Sequence, residues 1–243
     1  MTLAGKIAVV TGGSRGIGRA ICLALADRGA TVAFCHLNDP EAAGTLAQIN
    51  TRTRGMAQSA DVADEAAMEG FFAAVQATFG APDILVNNAG ILTESPLANT
   101  QVADFDRVMA VNLRGGFLAS RAFVRRTAQG RIINIASDLG ILGRENMLAY
   151  TASKGAIIAM TRTLARELAP GILVNAIAPG STETDMTSPA NMSAEAIAKD
   201  LDTPLARFGR PEEIAAMAAY LAGPDSAFIT GQCFGVNGGS VMH

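Results

Sequence analysis

A chain of 243 residues, 49% apolar and 17% charged, has the length and composition of one well-buried α/β domain and excludes a disordered chain. With a net charge of −3, nothing predicts the basic face that nucleic acid or an anionic membrane would need. Three scattered cysteines (Cys22, Cys35, Cys233) and two histidines (His36, His243) exclude a disulfide framework or a metal site and point to a reducing compartment.

The opening residues lack a basic stretch followed by an apolar run and a cleavage site, and no eighteen-residue apolar run occurs anywhere; the expectation is a cytoplasmic protein. Lys6 to Thr11 is a short β-branched run, read as a buried parallel strand. It runs into Gly12-Gly13-Ser14-Arg15-Gly16-Ile17-Gly18 and then a helical pattern closed by Gly29. Glycines permit a tight turn and close backbone approach, and the helix N-terminus offers free N–H groups, so this unit predicts a pyrophosphate site. A plain glycine-rich turn is the bland alternative.

Thr31 to Cys35 is the second strand. A dinucleotide fold often ends this strand with a carboxylate for the adenosine ribose, but here His36, Leu37 and Asn38 follow, with Asp39 only later. Arg15 can meet a 2′-phosphate and His36 can add a donor. The expectation is NADP(H) over NAD(H), with Asp39 on the ribose as the NAD alternative. A helix over 41–50, a strand over 55–59 and a helix over 64–78 follow. Asp61 before the last of these either accepts from an adenine amino group or caps the helix. The fourth strand, from Asp83, exits through Asn87-Asn88-Ala89-Gly90, where the small residues admit a flat ligand and the asparagines can tie strand ends together.

A long helical stretch over 102–126 carries Asn112, a poor helix former that is either solvent-facing or needed locally. The fifth strand, from Arg131, delivers Ser137 to its carboxyl end, the edge where open parallel sheets bind ligands. Tyr150 and Lys154 stand one helical turn apart on one face. A phenol titrates near ~10, and bringing it to ~7 takes roughly 4 kcal/mol, much of which a neighbouring ammonium can supply. That tyrosine could then exchange a proton with a carbonyl or alcohol oxygen. The helix runs to about Ala169, and a sixth strand over 172–178 ends at Pro179-Gly180. Residues 181–205 read as a polar insert with a short helix near 195–201, suited to a substrate lid. A helix starting at Pro211 and a strand over 229–236 complete one three-layer domain with a parallel sheet.

The joint order and spacing of Thr11-Gly12…Gly16-Ile17-Gly18, Asn87-Asn88-Ala89-Gly90, Asn112, Ser137, Tyr150…Lys154 and Pro179-Gly180 resemble the short-chain dehydrogenase/reductase family across essentially the full length. Within it, Thr11 to Arg19, Glu183 to Met186 and the Val236-Asn237-Gly238-Gly239 tail look most like the 3-oxoacyl-(acyl-carrier-protein) reductases. The resemblance implies a single-domain, doubly wound Rossmann-type sheet and hydride transfer between NADP(H) and a carbonyl or secondary alcohol. It implies Tyr150 as acid or base, Lys154 as its pKa-lowering partner and ribose ligand, Ser137 on the substrate oxygen and Asn112 as holder of a relay water. Gly12, Ser14, Arg15, Gly16, Ile17, Gly18, His36, Asp61, Val62, Asn88, Ala89, Gly90, Pro179, Gly180, Thr182 and Thr184 would line the cofactor. The resemblance also implies a homotetramer. An acyl carrier protein is a possible partner; it is acidic, so Arg125, Arg126 and Arg166 are its candidate contacts. Leu139, Ile141, Leu142, Asn146 and Met147 suggest a mostly apolar substrate cleft with few charges. A cofactor sensor without turnover is the reading from another class, and the Asn-Ser-Tyr-Lys set argues against it.

Overall fold

The computed structural model describes residues 2–188, 190 and 192–242. The sheet is entirely parallel and seven-stranded, in the order β3-β2-β1-β4-β5-β6-β7. Its strands are β1 (Ile7–Thr11), β2 (Thr31–His36), β3 (Gly55–Ser59), β4 (Ile84–Asn87), β5 (Gly130–Ile135), β6 (Ile172–Pro179) and β7 (Cys233–Val236). Chain order reverses between β1 and β4, so their exits diverge and leave a crevice at the carboxyl edge.

Both faces of the strands are buried, which is why they read as continuous apolar runs. Ala8, Val10, Ile84 and Val86 face one side, under α1 (Gly16–Ala26) and α9 (Pro211–Ala222). Val9, Leu85 and Ile132 face the other, against Phe71 and Phe72 of α3 (Glu65–Phe79) and Phe123. The edge helix α2 is Glu41–Asn50.

The helix predicted over 102–126 is three pieces: α4 (Val102–Met109), a π-helical turn (Ala110–Arg114) and α5 (Gly115–Val124). The π turn inserts Asn112 into the interior, where it is buried, so the solvent-facing alternative is excluded. A short helix α6 (Leu139–Leu142), not anticipated from the sequence, follows Ser137 and leads to α7 (Leu148–Leu168). The last strand is shorter than predicted. Across residues 229–232 side chains share the bonding to β6 with the backbone: Asn175 donates to the Ile229 carbonyl and accepts from the Gln232 N–H, and Thr230 Oγ1 accepts from Val174 N, while Gly231 N–H donates to the Val174 carbonyl and Ala176 N–H to the Gln232 carbonyl. The 181–205 insert carries α8 (Ala194–Asp200); its positions 189 and 191, like His243, lie outside the described residues. Among the described residues, no helix is long and apolar enough to cross a membrane.

Candidate active site

The glycine turn is fixed by its neighbours. Gly12 has φ +65, and a Cβ there would stand 2.9 Å from Ala89 Cα. A Cβ on Gly18 would fall 2.0 Å from the Gly12 carbonyl oxygen. No side chain larger than hydrogen fits at either position. Asn88 braces the turn, with Nδ2 donating to the carbonyls of Thr11 and Gly12 at 3.0 Å each. Thr11 Oγ1 accepts from the N–H groups of Asn88 and Ala89. The cross-strand role anticipated for the asparagines is therefore present, since Asn87 also donates to Asn134 on β5 at 2.8 Å. Arg15 precedes α1 without any side-chain cap. The first-turn N–H groups of α1, half-buried Gly16 and Ile17 among them, therefore face the crevice unclaimed by a capping side chain. A cradle that tight beside an uncapped helix start fits a dinucleotide pyrophosphate.

Beyond the turn, Asp39 is not merely a helix-starting residue. Its carboxylate accepts from Ser14 Oγ at 2.7 Å and from Glu41 N at 3.0 Å, and pairs with Arg15 Nε at 3.3 Å. Burial pushes this carboxyl up, but the Ser14 and Glu41 donors and Arg15 together hold it below the usual range. Arg15 also reaches Asp185 at 3.1 Å. His36 does not point a donor outward through Nδ1: that atom accepts from Asp39 N at 3.1 Å.

The capping alternative for Asp61 is corrected by the structure. Asp64 caps α3, accepting from Ala67 N at 2.7 Å, because it immediately precedes the helix while Asp61 lies one turn too early. Asp61 instead accepts from Ala63 N and pairs with Arg107 at 3.4 Å. Val62 is buried against Gly115 at the start of α5, where a Cβ would meet it at 2.9 Å.

Asn112, Ser137, Tyr150 and Lys154 converge at the carboxyl edge. Asn112 Oδ1 accepts from Ile91 N at 2.8 Å, and Nδ2 donates to the Ile91 carbonyl and to Ser153 Oγ at 3.0 Å each. Both amide protons are thus committed to tying the loop after β4 to α7. Gly90 sits beside this clamp: a Cβ there would lie 3.4 Å from Asn112 Oδ1 and 3.6 Å from Lys154 Nζ. Gly140 lets α6 press onto α7, since a Cβ there would approach the Lys154 carbonyl carbon to 2.7 Å. That contact holds Ser137 beside Tyr150.

The electrostatics differ from the expected acidified phenol. Burial pushes Tyr150 up to about 12, with a Ser137 hydrogen bond pulling it down and Asp138 pushing it further up. Burial pushes Lys154 down to about 8. The Lys154 Nζ donates to the Ile135 carbonyl at 2.8 Å and lies 5.6 Å from the Tyr150 ring centre. At neutral pH this site presents a neutral phenol, a proton donor.

At the exit of β6, Pro179 and Gly180 reach the same edge. Thr182 is buried and donates to the Gly180 carbonyl at 2.9 Å. Thr184 sits over Gly16, where a Cβ would meet its Cγ2 at 3.4 Å. Next to Ser137 opens a cavity of about 620 Å³, lined by Leu139 and Leu142 of α6, by the 199–209 segment and by the chain end. The wall is mostly apolar, as expected, but the expectation of few charges fails. Arg144 pairs with Asp200, Lys199 with Glu145 and Arg207 with Glu213, all along its wall. Of the other residues assigned to the cleft, Ile141 is exposed and Met147 buried, while Asn146 holds φ +64 and its carbonyl accepts from Ser95 N. Sequence reasoning did not single out Asp138, buried directly behind Ser137; its only signal was a carboxylate at the end of an otherwise apolar strand.

Residues 12–241 match the family model described as enoyl-(acyl carrier protein) reductase. The chain is 40% identical over 246 residues to a 3-oxoacyl-(acyl-carrier-protein) reductase of Vibrio cholerae, covering 100% of both. It is 39% identical to a short-chain type dehydrogenase/reductase of Picea abies, over 98% of this chain and 93% of that protein. A dehydrogenase/reductase from Sinorhizobium meliloti superposes with a TM-score of 0.95 at 43% identity, over 99% of this chain and 97% of that one. A blue fluorescent protein from a metagenomic library, solved with NADPH, superposes at 0.93 with 39% identity and 100% coverage of both.

Proposed function

The chain belongs to the short-chain dehydrogenase/reductase family, and from that membership we propose that it reduces the ketone of a 3-oxoacyl thioester or a related carbonyl compound with NADPH. It is an oxidoreductase acting on carbonyl and CH–OH groups with a nicotinamide cofactor. The observation that carries the reductive reading is the neutral Tyr150 phenol beside Ser137, joined through Lys154, Gly90 and Ala89 to a glycine cradle that fits a dinucleotide. A bound reduced nicotinamide supplies the hydride. Tyr150 gives its proton to the substrate oxygen, Ser137 orients that oxygen, and Lys154 supplies positive charge where the phenolate forms. The uncapped start of α1 and the Gly12 to Gly18 turn hold the pyrophosphate, and Gly90, Pro179, Gly180 and Thr182 shape the nicotinamide end. Asn112 acts by holding Ile91 and Ser153 in register, and residues 181–205 cover the substrate.

Full-length relatives that are 3-oxoacyl-(acyl-carrier-protein) reductases support the acyl thioester. Of the arginines offered above as carrier contacts, Arg125 and Arg126 are already committed to a carboxylate. Arg125 and Arg126 both pair with Glu69 and follow α5, at the amino edge of the sheet. Equal turnover of acetoacetyl groups carried on coenzyme A and on a carrier protein is therefore expected. Asp39 favours a second reading, an NAD-linked alcohol dehydrogenase, because a carboxylate in this region can accept from a ribose hydroxyl.

Tyr150→Phe should lower ketone reduction by on the order of 10³-fold while leaving NADPH affinity near wild type, read by 340 nm turnover and fluorescence titration. Wild-type turnover in this variant would remove the mechanism, and tighter NADH than NADPH binding would favour the second reading.

A further inference from the structure

Asp138 is a buried carboxylate that the mechanism above does not use. Its backbone N–H donates to the Pro179 carbonyl at 3.1 Å, which fixes it between the exits of β5 and β6. One oxygen accepts from Ser137 Oγ at 3.1 Å, and the other from Ser240 Oγ, near the chain end, at 2.6 Å. Ser137 Oγ in turn accepts from Leu139 N at 3.2 Å.

A serine hydroxyl has one proton. While Asp138 is ionised, that proton points inward to the carboxylate, and a substrate oxygen receives no donor from Ser137. When Asp138 takes up a proton through the adjoining cavity, its own O–H can donate to Ser137 Oγ. The serine proton is then free to turn toward a carbonyl oxygen, with no change in heavy-atom positions. We propose that Asp138 is a positioning residue whose charge state sets the direction of the Ser137 hydroxyl, making Ser137 a donor to substrate only when Asp138 is neutral. The inference rests on the carbonyl-reducing reading above.

The groups facing Asp138 set the direction in which its titration moves. Burial raises its carboxyl above the ordinary range, Ser240, Ser137 and the Leu139 N–H pull it down, and Asp200 pushes it up. Tyr150 of α7 faces it from one side. Asp200 of α8 is itself paired with Arg144. Farther along the cavity wall, Lys199–Glu145 and Arg207–Glu213 are mutually neutralised pairs, and Asp202 adds a carboxylate.

The test is the pH profile of kcat for NADPH-dependent ketone reduction at saturating substrate. Wild type should gain several-fold as pH falls through an acid limb lying above the ordinary carboxylate range, separately from the alkaline limb that belongs to Tyr150. Asp138→Asn, whose amide is a permanent donor to Ser137, should lose that acid limb and stay at the wild-type acid plateau. Ser240→Ala removes a donor from the carboxylate, so it should move the limb to higher pH. A flat wild-type profile, an unchanged limb in Asp138→Asn, or an unmoved limb in Ser240→Ala would each overturn the proposal. If Asp138→Asn does not fold, judged by NADPH binding, the Ser240→Ala profile decides. Absence of ketone turnover in wild type would instead remove the carbonyl-reducing reading.

Discussion

Arg15 and Asp39 stand within one ion-pair distance yet favour opposite cofactors. A 2′-phosphate draws on Arg15, while Asp39 neutralises that arginine and repels the phosphate. Asp39→Asn should therefore shift the NADPH-over-NADH affinity ratio upward by about tenfold, the equivalent of ~1.4 kcal/mol, read by paired fluorescence titrations; a ratio shifted toward NADH would contradict the placement. Lys154 carries a different cost. Its folded pKa of about 8 lies below the ordinary 10.5, so the fold disfavours the charged form. Below pH 8 both folded and unfolded chains hold the proton and the penalty is complete. Between 8 and 10.5 the unfolded chain binds more protons, so stability rises with pH. Lys154→Met should thus gain on the order of 3 kcal/mol at pH 7, less ~1 kcal/mol for the donor lost by Ile135. The gain should vanish near pH 10.5 in denaturant melts, alongside loss of activity. The glycines and the Tyr150–Lys154 spacing were legible in the sequence because backbone sterics and helical periodicity act locally. Asp138 was not, and Asp39 was legible only as a candidate and not by its partners, because what makes them matter is contact with residues 102 and 25 positions away, Ser240 and Ser14.

The strands and α1, α3, α7 and α9 followed their apolar periodicity, so the sequence located them closely. Two of the misses turn on contacts made by single side chains. Asn175 and Thr230 take over part of the bonding of residues 229–232 ahead of β7, and no propensity scale contains such a contact. The π turn hides inside an unbroken helical pattern for the same reason, since only the interior clamp of Asn112 reveals it. At this scale α8 is fastened to the segment after α6 by Arg144–Asp200 and Glu145–Lys199. The exposed second pair contributes little, whereas Asp200 is buried. Arg144→Met leaves a buried carboxylate unpaired, a local penalty on the order of 3 kcal/mol. Faster proteolysis within 181–205 and a raised KM at near-constant kcat are expected; unchanged proteolysis would show that α8 is held by other contacts.

Across the whole molecule, an all-parallel sheet gathers every strand exit at one edge, which is why motifs from residues 12 to 184 could be assigned to one site from chain order alone. What the order of elements could not convey is the outer surface. Phe228 is fully exposed beside β7, and Val102, Phe117 and Leu148 are exposed on α4, α5 and α7. These are the candidate subunit contacts of the homotetramer that the family resemblance implies. In such a tetramer Phe228→Asp should leave dimers by light scattering with NADPH binding retained, and a wild-type mass that is not tetrameric, or one unaltered in the variant, would contradict that placement. The π turn carries one more implication. Its surplus residue puts α4 and α5 out of phase by about 100°, so α4 can lie against α7 while α5 lies against α3. Losing a single codon from this turn would rotate everything downstream onto the wrong neighbours, whereas a point change there would disturb one clamp. Among relatives, this turn should therefore admit altered letters far more readily than altered length.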